Sequence, residues 1–359
     1  MRSNSSDVFV IGGGPAGLAA AIAARRKGFN VVVADGCQPP VDKACGEALL
    51  PDGLAAAERL GLQLPIGDSF AFRGIRFAGE GVSVKAEFPN GVGRGMRRTL
   101  LHQALVDQAE RCGVELRWGC SVGEFSNIRA RWIVGADGMG SRVRAWAGLD
   151  ACVRDKRRYG FRIHFQLAPW SDFVEIHWGD GCQVSITPIA ADGIGVAVLS
   201  SDPRLRVRDA LAQFPALASR IREMPETSIE RGGITASRQL RRVERENIAL
   251  TGDASGSVDA ITAEGLCLSF QQALALADAL ESGDLGRYEA AHRRLAMRPR
   301  FMADFTLTMG SRALRRRALP AMASRPEVFG GLLAMHVGAG RPADFAAQCL
   351  RLGWRMLTI

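Results

Sequence analysis

The stretch that decides the fold of the N-terminal region is residues 7–35, DVFVIGGGPAGLAAAIAARRKGFNVVVAD. An apolar run ends at Ile11, a cluster of glycines follows, and an alanine-rich segment with high helix propensity continues to a stop at Gly28. The next apolar run, Val31–Ala34, is typical of a buried strand. This pattern predicts a βαβ unit with parallel strands.

The glycine cluster has the Gly-x-Gly-x-x-Gly spacing of a dinucleotide-binding turn. Its glycines permit a tight turn and let the backbone approach a pyrophosphate at the positive end of the helix. Asp35, which ends the second predicted strand, is placed to accept hydrogen bonds from an adenosine ribose. The sequence therefore predicts a dinucleotide site at Asp35 and the turn residues Gly12, Gly14, Pro15, Ala16 and Gly17.

Two further glycine–aspartate motifs lie downstream, VGADGMGS at residues 134–141 and LTGDASG at residues 250–256. The order and spacing of the three motifs resemble those of the para-hydroxybenzoate hydroxylase and geranylgeranyl reductase superfamily of flavoproteins. The resemblance covers about residues 5–285. It implies FAD as the cofactor and an oxidoreductase activity.

The resemblance also implies which other residues contact the cofactor. Asp253 follows a predicted strand, where its carboxylate can accept hydrogen bonds from the ribityl hydroxyls. The helix that follows would direct its N-terminal N–H groups to the N1/O2 edge of the flavin, which becomes negative on reduction. Arg98 matches the family arginine near the phosphates, with Arg97 as the alternative. The remaining implied contacts are Gly46, Asp137, Gly138, Gly252, Gly256, Ala263, Gly265 and Leu266.

A second informative motif is DKACGE, residues 42–47. It resembles the Lys-x-Cys-Gly-Glu/Asp pattern of geranylgeranyl reductases, in which the cysteine lies at the active site. A thiol at Cys45 could protonate a substrate carbon or tune the flavin. The alternative is a small residue that packs under the ring, followed by a tight turn at Gly46.

The predicted fold class is α/β, with a three-layer, Rossmann-like βαβ domain for FAD. An antiparallel β-sheet domain for the substrate interrupts it, and a helical tail follows. The predicted segments are 1–70, 96–150 and 246–285 for the FAD-binding domain, 71–95 and 151–245 for the substrate domain, and 286–359 for the tail. On the strands of the substrate domain, His164 and His177 are the candidate substrate contacts.

The net charge of +9 comes from the tail, where residues 286–359 contain 13 Arg and 4 Asp or Glu. A solvated helix face is the favoured interpretation, and no nucleic-acid partner is expected. Peripheral membrane contact through Arg315–Arg317 and the apolar run Val328–Val337 is the alternative. The 8 cysteines have no CxxC spacing, and no run of about 18 apolar residues occurs. We therefore expect no metal site and a cytoplasmic protein, peripheral to the membrane if the tail binds lipid.

Three functional hypotheses follow. The favoured one is a monooxygenase, driven by NAD(P)H, that hydroxylates or epoxidises a small lipophilic or aromatic substrate. The second is a reductase of carbon–carbon double bonds in which Cys45 assists; it ranks lower because Cys182–Pro188 replaces the aromatic stretch typical of geranylgeranyl reductases. The third is a non-catalytic flavoprotein that binds a membrane or a partner through its tail. Gly338–Gly340 leaves too few residues for a second dinucleotide unit, so NAD(P)H is expected to bind transiently.

Overall fold

The structure is a computed structural model that describes residues 6–79, 81–123 and 128–358. Its first sheet has six strands, parallel except for one antiparallel edge strand. In spatial order these strands are β15 (Glu244–Arg245), β16 (Ile248–Leu250), β9 (Ala130–Gly135), β1 (Ser6–Ile11), β2 (Val31–Asp35) and β8 (Glu115–Trp118).

Helices pack on this sheet because its central strands are apolar on both faces. Val8, Val10, Val31 and Val33 share one buried core with the alanines of the first helix. The helices associated with this region are α1 (Pro15–Arg26), α2 (Pro51–Arg59), α3 (Arg98–Arg111), α4 (Arg142–Trp146) and α7 (Gly265–Ser282). Helix α1 contacts both α3 and α7.

The second sheet has eight strands and is antiparallel except between β11 and β5. In spatial order these are β17 (Gly256–Ser257), β14 (Arg231–Leu240), β10 (Cys152–Gln166), β13 (Gly193–Ser200), β12 (Cys182–Ala190), β11 (Phe173–Trp178), β5 (Gly74–Gly79) and β6 (Val82–Glu87). A small third sheet contains β3 (Ala48–Leu49), β7 (Gly93–Gly95) and β4 (Phe70–Phe72).

Both faces of the eight-stranded sheet are partly covered. Successive residues of a strand point to opposite faces, and buried residues occur on both of them. Ile163 and Phe165 of β10 pack with α5 (Val207–Leu211) and α6 (Pro215–Ile221). These two short helices therefore cover part of one face of the sheet.

The tail forms four helices, α8 (Leu285–Met309), α9 (Arg312–Ser324), α10 (Pro326–His336) and α11 (Pro342–Thr358). They share a buried core with Val174, Ile176 and Trp178 of β11. Gly338 lies in the turn between α10 and α11, with a φ of +74°. Within the described ranges, no helix is long and apolar enough to cross a membrane. The predicted α/β fold class, with its interrupted Rossmann-like domain and helical tail, is confirmed.

Candidate flavin site

A long cleft opens at the carboxyl ends of the parallel strands, where the three glycine motifs follow β1, β9 and β16. Its volume of about 430 Å³ lies within the roughly 300–1,000 Å³ of ligand-binding pockets. The predicted residues that line it are Gly12, Gly14, Pro15, Ala16, Asp35, Cys45, Gly46, Arg98, Asp137, Gly138, Asp253, Ala263, Gly265 and Leu266.

The glycine turn is determined by close backbone contacts. A Cβ at Gly12, where φ is +111°, would lie 2.4 Å from the carbonyl oxygen of Ala136. A Cβ at Gly17 would lie 1.8 Å from the carbonyl oxygen of Gly12, whereas a Cβ at Gly14 would meet open space. No side chain caps α1 at Gly14, so its N–H groups and positive dipole end are available to an anion.

Asp35 is held at the end of β2 by two backbone N–H groups. Gly13 donates to its Oδ2 at 2.6 Å, and Cys37 donates to its Oδ1 at 2.8 Å. Because an ionised carboxylate has about four acceptor positions, both oxygens can still accept a hydrogen bond from a ribose hydroxyl.

Two charged side chains lie in the cleft with unused polar groups. Asp253 is accessible from the cleft, and it makes no hydrogen bond through its side chain to any described residue. Desolvation deep in the cleft raises the pKa of Asp253, and the positive charges of Arg98 and Lys43 oppose that rise. The buried Nε of Arg98 also has no partner among the described residues. A ligand with hydroxyls and phosphates would satisfy both groups, so these residues fit FAD.

Four predicted cofactor residues do not line the cleft. Arg97 donates instead to the Oγ1 of Thr227 at 2.5 Å, so Arg98 is the arginine of this pair that lines the cleft. The other three are glycines that allow close packing: Gly17 against Gly12, Gly252 against Ala16, and Gly256 against Arg238.

Asp137 lies at the cleft through its backbone, but its side chain caps α4. Its Oδ1 accepts from the hydroxyl of Ser141 at 2.5 Å, and its Oδ2 accepts from the N–H of Arg142 at 2.7 Å. The predicted cofactor contact at this position therefore does not need the carboxylate, which already has a structural role.

Glu47 is a site residue that the sequence analysis missed. It is 3% exposed, has a φ of +58°, and accepts hydrogen bonds from the N–H of Arg98 at 2.9 Å and from Nε2 of His164 at 2.6 Å. Nδ1 of His164 lies 3.2 Å from Nη1 of Arg162, which can only donate, so the proton of His164 is on Nε2. Arg162 also binds Asp42 at 2.5 Å. The network fixes the loop that contains Cys45.

The two predicted substrate histidines have other partners. His164 is buried in the network around Glu47 and does not line the cleft. His177 lies 2.9 Å from Oε2 of Glu175 and packs its ring against Phe214 of the α5–α6 segment. His177 is therefore on the sheet face opposite to the site.

An apolar cavity of about 90 Å³ lies between the β11 face and helices α8–α10. Val174, Ile176 and Trp178 form its sheet side. Ala48 and Ala263 line both this cavity and the cleft, so the two spaces adjoin at these residues. The sequence analysis did not predict this cavity.

Comparisons with known proteins agree with the geometry. Two family models, each described as an FAD binding domain, match residues 7–57 and 120–287. Menaquinone reductase of Mycobacterium tuberculosis is 28% identical over an alignment of 378 positions, which covers 89% of this chain and 91% of the relative. Digeranylgeranylglycerophospholipid reductase of Methanothrix thermoacetophila is 29% identical over 329 residues, covering 78% and 80%.

Solved structures share the fold at lower identity. A flavoprotein/dehydrogenase from Cytophaga hutchinsonii has a TM-score of 0.81 at 20% identity and covers 92% of each chain. A flavin-dependent brominase has a TM-score of 0.80 at 17% identity and covers 98% of each chain. The predicted recognition and the prediction of an FAD enzyme are confirmed. Together the matches support an FAD-dependent oxidoreductase of the para-hydroxybenzoate hydroxylase and geranylgeranyl reductase superfamily.

Proposed function

We propose that the protein reduces carbon–carbon double bonds in a lipophilic, polyprenyl-type molecule, with NAD(P)H as the transient reductant of its flavin. The observation that carries the proposal is the apolar cavity that adjoins the flavin cleft and shares Ala48 and Ala263 with it. Its apolar lining suits a hydrocarbon group, because each buried CH₂ group contributes about 0.8 kcal/mol.

Reduction of an alkene needs a hydride for one carbon and a proton for the other, and the bound flavin supplies the hydride. Cys45 lies in the cleft three residues before Ala48, where its thiol can supply the proton. The N–H of Glu47 points to Sγ of Cys45 at 3.4 Å, which would stabilise the thiolate after proton transfer. The loop is held in place by Thr187 of β12, whose hydroxyl donates to the carbonyl of Gly46 at 3.0 Å.

Sequence relatives favour reduction over oxygenation. The relatives that align along most of the chain are named as reductases, whereas the structure of the flavin-dependent brominase shares only the fold. The monooxygenase prediction stays as the second candidate, because β12 lacks the aromatic stretch of the prenyl reductases at Cys182–Pro188.

The test is a single-turnover experiment under anaerobic conditions. NAD(P)H should bleach the flavin, and a polyprenyl lipid should restore its absorbance and gain two hydrogens. A product that forms only with O₂ and contains its oxygen would instead establish the monooxygenase. Ala48→Leu places a larger side chain between cleft and cavity, so we expect slower lipid-dependent reoxidation but unchanged bleaching by NAD(P)H.

We propose the outer face of α11 as a membrane contact. Of the segments suggested by sequence, Arg315 and Val328 are buried in the core, whereas Arg316 and Arg317 are exposed. On α11, Leu350, Trp354 and Leu357 are 76%, 70% and 77% exposed and recur at helical spacing. The arginines at positions 351 and 355 of α11 would favour an anionic bilayer surface at this face.

Replacing Leu350, Trp354 and Leu357 together by serine should lower the affinity for vesicles of anionic phospholipid at least tenfold. The reason is that burial of one large apolar side chain contributes about 1.5–3 kcal/mol. Vesicle flotation measures the effect. Ile66→Ser, which removes another apolar side chain that is 67% exposed, should bind like the unmodified protein. Equal flotation of all three proteins would exclude α11 as the contact.

A further inference from the structure

A cluster of ionisable side chains is buried behind the wall between the cleft and the apolar cavity. Glu264 precedes α7, between Ala263 and Gly265, which both line the cleft. Its side chain is 1% exposed and turns away from the cleft. Oε1 lies 3.2 Å from Nη2 of Arg298, which also binds Oδ2 of Asp52 at 2.7 Å.

The orientation of His336 indicates that either its Nδ1 or the carboxyl group of Glu264 is protonated. Nε2 of His336 is 3.0 Å from the carbonyl oxygen of Thr262, which can only accept, so Nε2 is protonated. Nδ1 then faces Oε2 of Glu264 at 3.6 Å. A bare nitrogen lone pair and an ionised carboxylate would repel each other, so either Glu264 or Nδ1 carries a proton.

Burial decides which of the two groups carries it. Desolvation raises the pKa of Glu264 to about 8; Asp52 adds to the rise, and Arg298 opposes it. Desolvation also lowers the pKa of His336 to about 4, so the proton is on Glu264 near neutral pH. Oε2 of Glu264 has no hydrogen-bond partner in the described part of the chain, which likewise disfavours the ionised form. The neighbouring thiol of Cys267 has its pKa raised by burial and is neutral.

We propose that Glu264 is a redox-linked proton site, which binds a proton when the flavin is reduced and releases it when the flavin is oxidised. Reduction of the flavin would add negative charge near the N-terminus of α7, and Glu264 immediately precedes that helix. In this dry surrounding that charge disfavours a second negative charge on Glu264. The inference depends on flavin binding but not on which substrate the enzyme reduces.

The sign of the pH dependence follows from linkage. Dithionite supplies two electrons to the flavin, which binds protons of its own on reduction. Glu264 takes up at most one additional proton. Well below pH 8, Glu264 is protonated in both redox states and adds none. Above about pH 8 it is ionised in the oxidised protein and takes up a proton on reduction. The extra uptake therefore appears only on the alkaline side.

The experiment compares the pH dependence of the flavin midpoint potential in the FAD-loaded protein and in Glu264→Gln. We expect a steeper dependence above about pH 8 in the unmodified protein, by up to one proton per two electrons, and parallel curves near pH 6. Glu175→Gln is the matched control. Glu175 is also a buried carboxylate beside a histidine and an arginine, at 2.9 Å from His177 and 3.2 Å from Arg76. Burial raises the pKa of Glu175, but its partners outweigh burial and lower it, so it stays ionised.

A second measurement needs no variant and covers the case in which Glu264→Gln does not fold. The infrared difference spectrum of the unmodified protein, reduced minus oxidised, should gain a carboxylic-acid C=O band at pH 9 and lack that band at pH 6. Parallel potential curves for the unmodified protein and Glu264→Gln at all pH values would overturn the proposal. So would an infrared spectrum without the alkaline band. A protein that binds no FAD would instead contradict the family assignment.

Discussion

Replacing Gly17 by alanine should yield a protein that purifies without flavin. The new Cβ would lie 1.8 Å from the carbonyl oxygen of Gly12, a backbone atom that cannot rotate away. Ordinary overpacking of a core costs about 1–3 kcal/mol, and a clash between backbone atoms should cost at least the upper value. Because α1 must shift away from β1, its N-terminal N–H groups leave the position where they would face the phosphates. The ratio of flavin absorbance to protein absorbance measures the loss.

Gly67→Ala is the matched control for this substitution. A Cβ at Gly67 would have no atom within 4 Å, and its φ lies outside the left-handed region. This variant should retain full flavin content and an unchanged melting temperature. If Gly17→Ala bound FAD as tightly as the unmodified protein, the glycine turn would not be the phosphate site.

Replacing Cys45 by alanine should reduce the rate of alkene reduction by about 10²–10⁴, the usual contribution of a positioned general acid. The half-buried thiol is the proton donor that we propose in the cleft beside the junction with the cavity. Flavin content and bleaching by NAD(P)H should stay unchanged, because neither step needs that proton. Single-turnover reoxidation with a polyprenyl lipid isolates the affected step.

Two variants decide how the Cys45 result is interpreted. Cys152→Ala removes an exposed thiol outside the cleft and should turn over normally. Cys45→Ser keeps an O–H donor of similar size and should recover part of the lost rate. Unchanged alkene reduction in Cys45→Ala would assign the proton to another group. If Cys45→Ala shifted the flavin spectrum but turned over normally, the result would support a role of Cys45 in tuning the flavin.

The sequence predicted the features that short-range geometry determines. The glycine turn, Asp35 and the start of α7 follow from local spacing, because each depends on residues within one βαβ unit or one helix terminus. Helical spacing does not distinguish neighbouring residues at a helix start. Arg97 and Arg98 therefore remained alternatives until the structure placed Arg97 on Thr227.

The remaining features depend on contacts between distant parts of the chain. Alternation along β10 indicates a face for His164, but only the folded chain brings that face to Glu47, 117 residues away. The apolar cavity needs β11 and three tail helices at once. Helix α11 has a buried stripe that includes Phe345 and Leu352 and a second apolar stripe that is exposed, and periodicity alone does not say which one faces the core.

The strand order of the six-stranded sheet has a consequence for biosynthesis. The first strand of the chain, β1, pairs with β9, and β9 pairs with β16, whose residues lie more than 200 positions later. At translation rates of about 5–20 residues per second, the sheet that begins with β1 waits on the order of tens of seconds for β16. The nascent protein therefore completes its binding site for the prosthetic group late, and until then its apolar strands with unpaired edges are exposed to aggregation.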